Sequence, residues 1–414
     1  MKQGWEIKRL EDAVEFQRGL TYSKKDEVDF SDNIVLRSNN VDLIKNELDF
    51  TELKYINPAI EVQESKKVKK GSLLICTANG SKSHLGKVAL IDDDYNYAFG
   101  GFMGQVTPKE KLDSKFLFYL MTSDNYKKFI NELSDGANIN NLKFSDLGQF
   151  EIPLPPLPEQ QRIVSILDEA FAAIAKAKAN AEQNLKNAKE LFESYLQGVF
   201  EKKGDGWEEK PLRKVCQDFL QGINTATDKT VFVESGIPIL QAKEIGNLKL
   251  DLSAVKYITA EAFAKAQERY KPIKGDILYN NIGSAMGRCI IVDWDFPFTI
   301  AWNVMRIIPN RNLTIPTFLN YILQTPSVVS KILYKAKGVG MPFISKKDLI
   351  EIKVSFPPLE EQQIIVRQLD ALRAETQKLE AVYQQKIDDL EELKKSILQK
   401  AFAGELKTEK LELI

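Results

Sequence analysis

Between Glu159 and about Lys202 no proline occurs, and apolar or small side chains recur at Ile163, Leu167, Ala170, Ile174, Ala177 and Ala181, alternately four and three residues apart. That spacing keeps one stripe on one side of a helix and matches the seam of a coiled coil. The proline-rich segment PLPPLP just before it ends any preceding element. A second run, from Glu361 to about Gly404, places Ile365, Leu369, Leu372, Thr376, Leu379 and Tyr383 in the same order. Both seams then take an extra four-residue step, to Leu185 and to Ile387, a stutter that relaxes the supercoil in both helices at the same level. Two helices of roughly 40 residues, each about 60 Å long, exceed what one small domain requires. They are expected to pair antiparallel and to act as a spacer. Residues 1 to about 150 and about 205 to 352 instead alternate short apolar runs with glycine and asparagine turns, as in Lys70–Ile75 and Lys274–Tyr279. These segments predict mostly β cores with several helices, hence an α+β class.

The two halves are copies. Trp5, in Gly4-Trp5-Glu6, recurs as Trp207, in Gly206-Trp207-Glu208, 202 residues on, and the same shift carries Pro155-Pro156-Leu157-Pro158-Glu159-Gln160-Gln161 onto Pro357-Pro358-Leu359-Glu360-Glu361-Gln362-Gln363. Leu167-Asp168 falls on Leu369-Asp370, Asp146-Leu147 on Asp348-Leu349, Gly136 on Gly338 and Phe200 on Phe402. One register held this far is a duplication of a unit of about 200 residues rather than a solenoid. The expected divisions are a globular domain over 1–152, a helix with its linker over 153–203, a second globular domain over 204–354, and a helix with a charged tail over 355–414, with internal pseudo-twofold symmetry.

Charge and chemistry narrow the function. Lysine and arginine number 57 against 58 acidic residues, a net charge of −1, so any nucleic-acid surface must be local. Local clusters occur at Lys66, Lys67, Lys69, Lys70, Lys82 and Lys87, and at Lys265, Arg269, Lys271 and Lys274; each also reads as a solvated face. No signal peptide or apolar run of membrane-spanning length is present, which predicts a cytoplasmic protein with no membrane partner. Cys76, Cys216 and Cys289 are too far apart for a zinc ribbon or a disulfide framework, and His84 is the sole histidine. The stretch Gly80–Lys87 has the wrong spacing for a phosphate loop, no G-x-G-x-x-G follows a strand, and Asn57-Pro58-Ala59-Ile60 lacks the second proline and the aromatic residue of an adenine methyltransferase tetrapeptide. No catalytic residue and no metal ligand is therefore assigned.

What differs between the copies is informative. The glycine-bearing loops Thr77–Ile91 and Asn280–Val292 share a position but not their polar side chains; likewise Leu36-Arg37-Ser38-Asn39-Asn40 faces the segment from Leu240, and the segment from Asp135 faces that from Lys337. A repeated framework with divergent loops suits two readers of different base sequences, because backbone contacts position a protein on DNA and side chains at base edges specify. Asparagine and glutamine pair with adenine, and arginine or lysine with guanine. The candidate DNA-contacting residues are Asn39, Asn40, Ser81, Lys82, Lys87, Asn138, Asn140, Asn141 and Lys143 in the first copy, and Gln241, Lys243, Asn280, Asn281, Ser284 and Arg288 in the second. The competing reading is that asparagines in glycine loops are turn formers.

The twofold repeat, the helix starts PLPPLPEQQRIV and FPPLEEQQIIV, the paired Gly-Trp openings and the closings YLQGVF and ILQKAF closely resemble the specificity (S) subunit of type I restriction-modification enzymes, over essentially the whole chain. The resemblance implies two target-recognition domains, each binding one part of a bipartite, asymmetric site in double-stranded DNA, with the helices as a ruler for the gap. It also implies docking of two modification (methyltransferase) subunits, which carry S-adenosylmethionine, and through them of restriction subunits that use ATP and Mg2+; those cofactors belong to the partners, and this chain is not itself an enzyme. Glu159, Gln160, Gln161 and Arg162, with Glu361, Gln362 and Gln363, match the family's helix-start motif, either as partner-docking residues or as helix caps. Rival readings are a scaffolding coiled-coil protein without sequence-dependent DNA affinity, a self-sufficient methyltransferase or nuclease, and an S-like subunit of a methylation-only or different restriction class.

Overall fold

The computed structural model describes residues 4–135, 141–246, 249–338 and 340–406. The chain forms two compact units, one of residues up to 181 together with those from 385 onward, the other of residues 182–384. Each long helix therefore contributes one half to each unit.

In the first unit, four antiparallel strands lie in the order Val14–Arg18, Met103–Pro108, Leu73–Cys76, Val88–Leu90, with Leu73 opposite both Val106 and Leu90. A second sheet has the order Glu27–Val28, Lys54–Ile56, Ile34–Leu36, Ala98–Phe99, its last pair parallel. The run Leu73–Cys76 is apolar throughout because both of its faces are covered. Leu73 and Ile75 enter a core with Phe116 and Leu117, whereas Leu74 and Cys76 enter another with Leu36 and Phe99. A ribbon of Glu6–Arg9 with Glu151–Leu154 ties the two ends of the globular part together.

The second unit repeats the plan. Its larger sheet runs Cys216–Gln221, Val304–Pro309, Ile277–Asn280, Cys289–Ile291; the smaller runs Lys256–Ile258, Ile237–Leu240, Thr299–Ile300; and Glu208–Pro211 pairs with Lys353–Phe356. The correspondence reaches single residues: Lys54-Tyr55-Ile56 and Lys256-Tyr257-Ile258 are the same tripeptide in the same strand.

The long helices span Leu157–Glu201 and Leu359–Phe402, beginning two residues ahead of the sequence expectation. Pro158 falls within the first turn, where a missing N–H breaks no helical hydrogen bond. In the first unit Ile163 and Leu167 share a core with Leu398 and Ala401, and Lys178 Nζ reaches Glu391 at 2.5 Å; in the second, Leu196 and Phe200 share a core with Ile365 and Leu369. In both units, then, the helix halves pack on each other antiparallel. Leu167, Ile174, Ala181 and Ala188 are buried at seven-residue steps. Leu379, expected on the seam, is 41% exposed. At this level the contact opens into a groove of about 940 Å3 lined by Lys189, Phe192, Thr376 and Glu380.

Two amides fasten the helices to their globular parts. Gln160 is fully buried: its Oε1 accepts from the Asp113 N–H at 2.8 Å, and its Nε2 donates to the carbonyls of Lys111 (2.9 Å) and Pro155 (2.8 Å). Gln362 does the same with the Ile315 N–H (2.9 Å) and the carbonyls of Leu313 (3.2 Å) and Pro357 (2.9 Å). Lower on each helix, Tyr119 donates to Asp168 and Tyr321 to Asp370. Gln160 and Gln362 thus act as buried internal braces, which is neither of the two roles open for the helix-start motif. Glu361 accepts from the Trp207 indole at 2.8 Å. Gln161, Arg162 and Gln363 are exposed and Glu159 is half-buried.

Candidate nucleic-acid interface

At one end of the larger sheet in the first unit, the turn Gly100–Met103, the loop that starts at Thr77 and the segment Asn141–Phe144 come together. The Thr77 and Ala78 N–H groups donate to the Phe102 carbonyl at 2.9 and 3.1 Å, the Leu142 N–H donates to the Thr77 carbonyl at 2.6 Å, and Ala78 bridges Asn141. The Leu20 N–H donates to the Phe99 carbonyl at 2.7 Å, and a Cβ at Gly19 would overlap the carbonyl oxygens of Phe99 and Gly100, so only glycine admits this approach. The Arg18 guanidinium lies over the Phe144 ring, 5.7 Å from its centroid.

Beside this junction a cleft of about 900 Å3 is lined by Tyr22, Lys24, Arg37, Ser38, Asn39, Asn79, His84, Lys87 and Phe102. Its one acid, Glu27, is paired with Lys54 at 2.9 Å, which leaves the lining basic. Arg37 Nε and His84 Nδ1 are buried without a protein hydrogen-bond partner, so the cleft keeps unused polar capacity.

The second unit builds the same junction with other side chains. The Ile344 N–H donates to the Asn281 carbonyl at 2.9 Å, Ile282 bridges Phe343, the Ile223 N–H donates to the Ile300 carbonyl at 2.8 Å, and Gly222 sits where a Cβ would overlap Ile300 and Ala301. Matching the backbone contacts sets Gln221 at the place of Arg18, Asn281 at that of Thr77, Phe343 at that of Asn141 and Lys346 at that of Phe144. Gln221 and Asn281 exchange amide hydrogen bonds at 3.0 and 3.2 Å, and Gln221 also donates to the Trp302 carbonyl.

The candidates from the sequence divide. Asn40 is buried, accepting from the Arg37 N–H at 2.9 Å and donating to the carbonyls of Asp49 and Glu52 at 2.8 and 2.9 Å. In the other copy the carboxylate of Glu244 takes that capping position, accepting from the Gln241 N–H at 2.9 Å. Asn280 is buried, donating to the carbonyls of Ala242 (2.9 Å) and Ile245 (3.2 Å); Asn281 is buried against Gln221. Lys87 is buried with Nζ on the Val41 carbonyl at 2.7 Å, and burial lowers its pKa from the ordinary lysine value. All four are turned into the framework, although Asn280 Oδ1 has no hydrogen-bond partner and Lys87 also lines the cleft. Exposed residues are Asn39 at the cleft, Asn141 and Lys143 at the junction, Ser81 and Lys82 in the intervening loop, and Lys243 and Ser284; Gln241 is half-buried. Lys82 donates to the Ser134 carbonyl at 3.2 Å, and Lys243 to that of Ala254 at 2.6 Å. Arg288 is exposed but lies elsewhere, in the groove against the second long helix with Lys249 and Arg373. Asn138 and Asn140 lie outside the described residues.

Arg18, Arg37, Phe102, Gln221 and Trp302 were not singled out from the sequence. For one of them a signal was present, the aromatic Phe102 directly after Gly100-Gly101; the hydrogen bonds of the structure set that turn against Ala301-Trp302-Asn303, with Trp302 at the place of Gly101. Among the described residues no group of three or more His, Cys, Asp or Glu side chains is placed to hold a metal ion, and no helix is long and apolar enough to cross a membrane.

The model of the type I restriction modification DNA specificity domain matches this chain twice, over residues 2–186 and 204–390. The chain belongs to that family. The type I restriction enzyme EcoKI specificity subunit of Escherichia coli (strain K12) is 26% identical over 98% of this chain and 90% of its own length. The putative MjaX specificity subunit of Methanocaldococcus jannaschii is 25% identical over 98% of this chain and 94% of its own length. Among solved structures, a chain from work on complex assembly and conformational transition of the type I R-M system superposes with a TM-score of 0.79 at 22% identity, covering 98% of this chain and 99% of that one. The HsdS subunit from Thermoanaerobacter tengcongensis gives 0.59 at 21%, covering 98% of each. These likenesses establish a shared fold for a specificity subunit of mixed helix and sheet.

Proposed function

We propose that this specificity chain reads a bipartite, asymmetric DNA site, one unit per half-site, and docks methyltransferase subunits through its long helices. The observation that carries this reading is the duplicated junction: one backbone arrangement carries Arg18, Asn141 and Phe144 in the first unit and Gln221, Phe343 and Lys346 in the second. A fold serving one shared ligand has no need of such divergence at matched positions, whereas two readers of different sequences require it. In the first unit, exposed Asn39 and Asn141 supply amides suited to adenine, and Arg18, over the Phe144 ring, offers a guanidinium to guanine or to phosphate. The chain is the non-catalytic part of the assembly, which works in the cytoplasm. S-adenosylmethionine belongs to two methyltransferase partners, and ATP and Mg2+ to restriction subunits bound through them. On the helices, Glu159, Gln161, Arg162, Glu361 and Gln363 remain as docking candidates once Gln160 and Gln362 are assigned as braces, with Gln161, Arg162 and Gln363 the exposed ones.

The test is selection from a random DNA pool with the chain co-expressed with its methyltransferase subunit. A two-part motif of unequal halves at fixed separation is expected. An intact complex that enriches nothing overturns the reading in favour of a scaffolding role.

A further inference from the structure

Phe102 is 74% exposed although both residues that frame its turn, Phe99 and Met103, are buried. The ring takes no part in the hydrophobic cores, so the fold itself does not use it. The turn is nevertheless rigid: the Met103 N–H closes it on the Gly100 carbonyl at 2.8 Å, and the Phe102 carbonyl accepts from the Thr77 and Ala78 N–H groups and from the Thr77 hydroxyl at 3.0 Å. The second unit closes the same turn, the Val304 N–H donating to the Ala301 carbonyl at 2.9 Å, and carries its aromatic residue one position earlier, Trp302 standing at the place of Gly101 and Asn303 at that of Phe102; Trp302 is 41% exposed and its N–H donates to the Ile223 carbonyl at 2.8 Å.

The geometry points to Phe102 and Trp302 as stacking contacts, each laying its ring against a base face at one step of the half-site that its unit reads. This rests on the reading of the chain as a two-part DNA reader. What phenylalanine and tryptophan share is a flat π face, not a size or a hydrogen-bonding group, and a base step presents such a face once it is opened. A contact with a thymine methyl would be served as well by an aliphatic residue and gives no reason for an aromatic in both copies. A ring already fixed by its turn loses little conformational freedom on binding, and the basic cleft alongside, with Lys24 and Arg37, suits the adjacent phosphates. Opening a step is easiest at flexible pyrimidine–purine sequences, so the tip selects sequence through deformability without a base-edge hydrogen bond.

The experiment uses the full chain assembled with its methyltransferase subunits and the duplex enriched by the wild-type complex, with 2-aminopurine placed in turn at each step of one half-site. Phe102→Ala is expected to weaken binding to that duplex by about fivefold to a hundredfold, to abolish the fluorescence change at one step only, and to leave binding to random duplex and the melting temperature unchanged. Phe102→Trp should retain both signals, and Trp302→Ala should act on the opposite half-site alone. Wild-type affinity and fluorescence for both alanine variants would overturn the inference while leaving the two-part reading intact. Full rescue by Phe102→Leu would overturn it as well, because volume and not a flat face would then suffice. If the wild-type complex enriches no motif, the two-part reading fails and the stacking role with it.

Discussion

Replacing Gln160 by alanine removes three hydrogen bonds at once from a site without solvent access, leaving the Asp113 N–H and the carbonyls of Lys111 and Pro155 without their partner. At a net contribution of about 1 kcal/mol per bond the expected loss is about 3 kcal/mol, and more if the stranded groups stay dry. For a unit of about 200 residues, that lowers the melting temperature by about 6–12 °C. Gln160→Glu sharpens the test. A carboxylate still accepts from Asp113 but turns its second oxygen toward two carbonyls, which disfavours the ionised form and raises the folded-state pKa above that of the unfolded chain. Its stability is then best below about pH 4 and declines as pH rises through the folded pKa, so Gln160→Glu should melt lower at pH 8 than at pH 5. Calorimetry of the purified chain reads the melting temperature, and pull-down of the methyltransferase subunit reads docking. Gln161→Ala, one residue along and exposed, should leave melting unchanged. The bracing argument is refuted if Gln160→Ala melts within a degree of wild type while losing the partner.

Two further predictions concern differences and matches between the copies. In the second unit Arg306 Nε contacts Asp276 at 2.7 Å with both side chains buried, whereas the matching places in the first unit hold Gln105 and Ser72; Arg306→Ala should cost about 3–5 kcal/mol in denaturant unfolding. The double change Asp276→Ser with Arg306→Gln should recover most of that loss, and a single variant as stable as wild type would show that the pair contributes nothing. Burial and the bonds to Asp168 and Asp370 raise the Tyr119 and Tyr321 phenols above their ordinary value of 10, so their contribution is complete below pH 10 and lost as pH rises beyond it. Tyr119→Phe should lower stability by about 1.5 kcal/mol at pH 8 and flatten the decline above pH 10 in a pH-unfolding series; an unchanged alkaline decline would contradict the assignment.

Much of the architecture was legible because it depends on periodicity and repetition. Leu167, Ile174 and Ala181 lie on one helix stripe wherever the helix packs, and the duplication fixed the second copy once the first was read. The role of Gln160 and Gln362 was not legible, since a glutamine a few residues past a proline looks the same whether it caps, docks or reaches back to a loop some 50 residues earlier; only the fold brings Lys111 and Asp113 to Gln160.

The inward placement of Asn280 has a reason the strands themselves contain. Ile277 and Tyr279 enter one core and Leu278 enters another, so strand alternation sends Asn280 inward on the side of Leu278, where its amide meets Ala242 and Ile245. The inward side of Asn280 is thus legible in the sequence, two residues on from Leu278. Phe102 escapes the same count. It lies in an apolar stretch between buried Phe99 and Met103, and only the turn at Gly100-Gly101 reverses the chain so that the ring faces water. Residue chemistry and placement therefore part in both directions: polar Asn280 is turned inward, apolar Phe102 is presented outward, and backbone direction at the junction decides which.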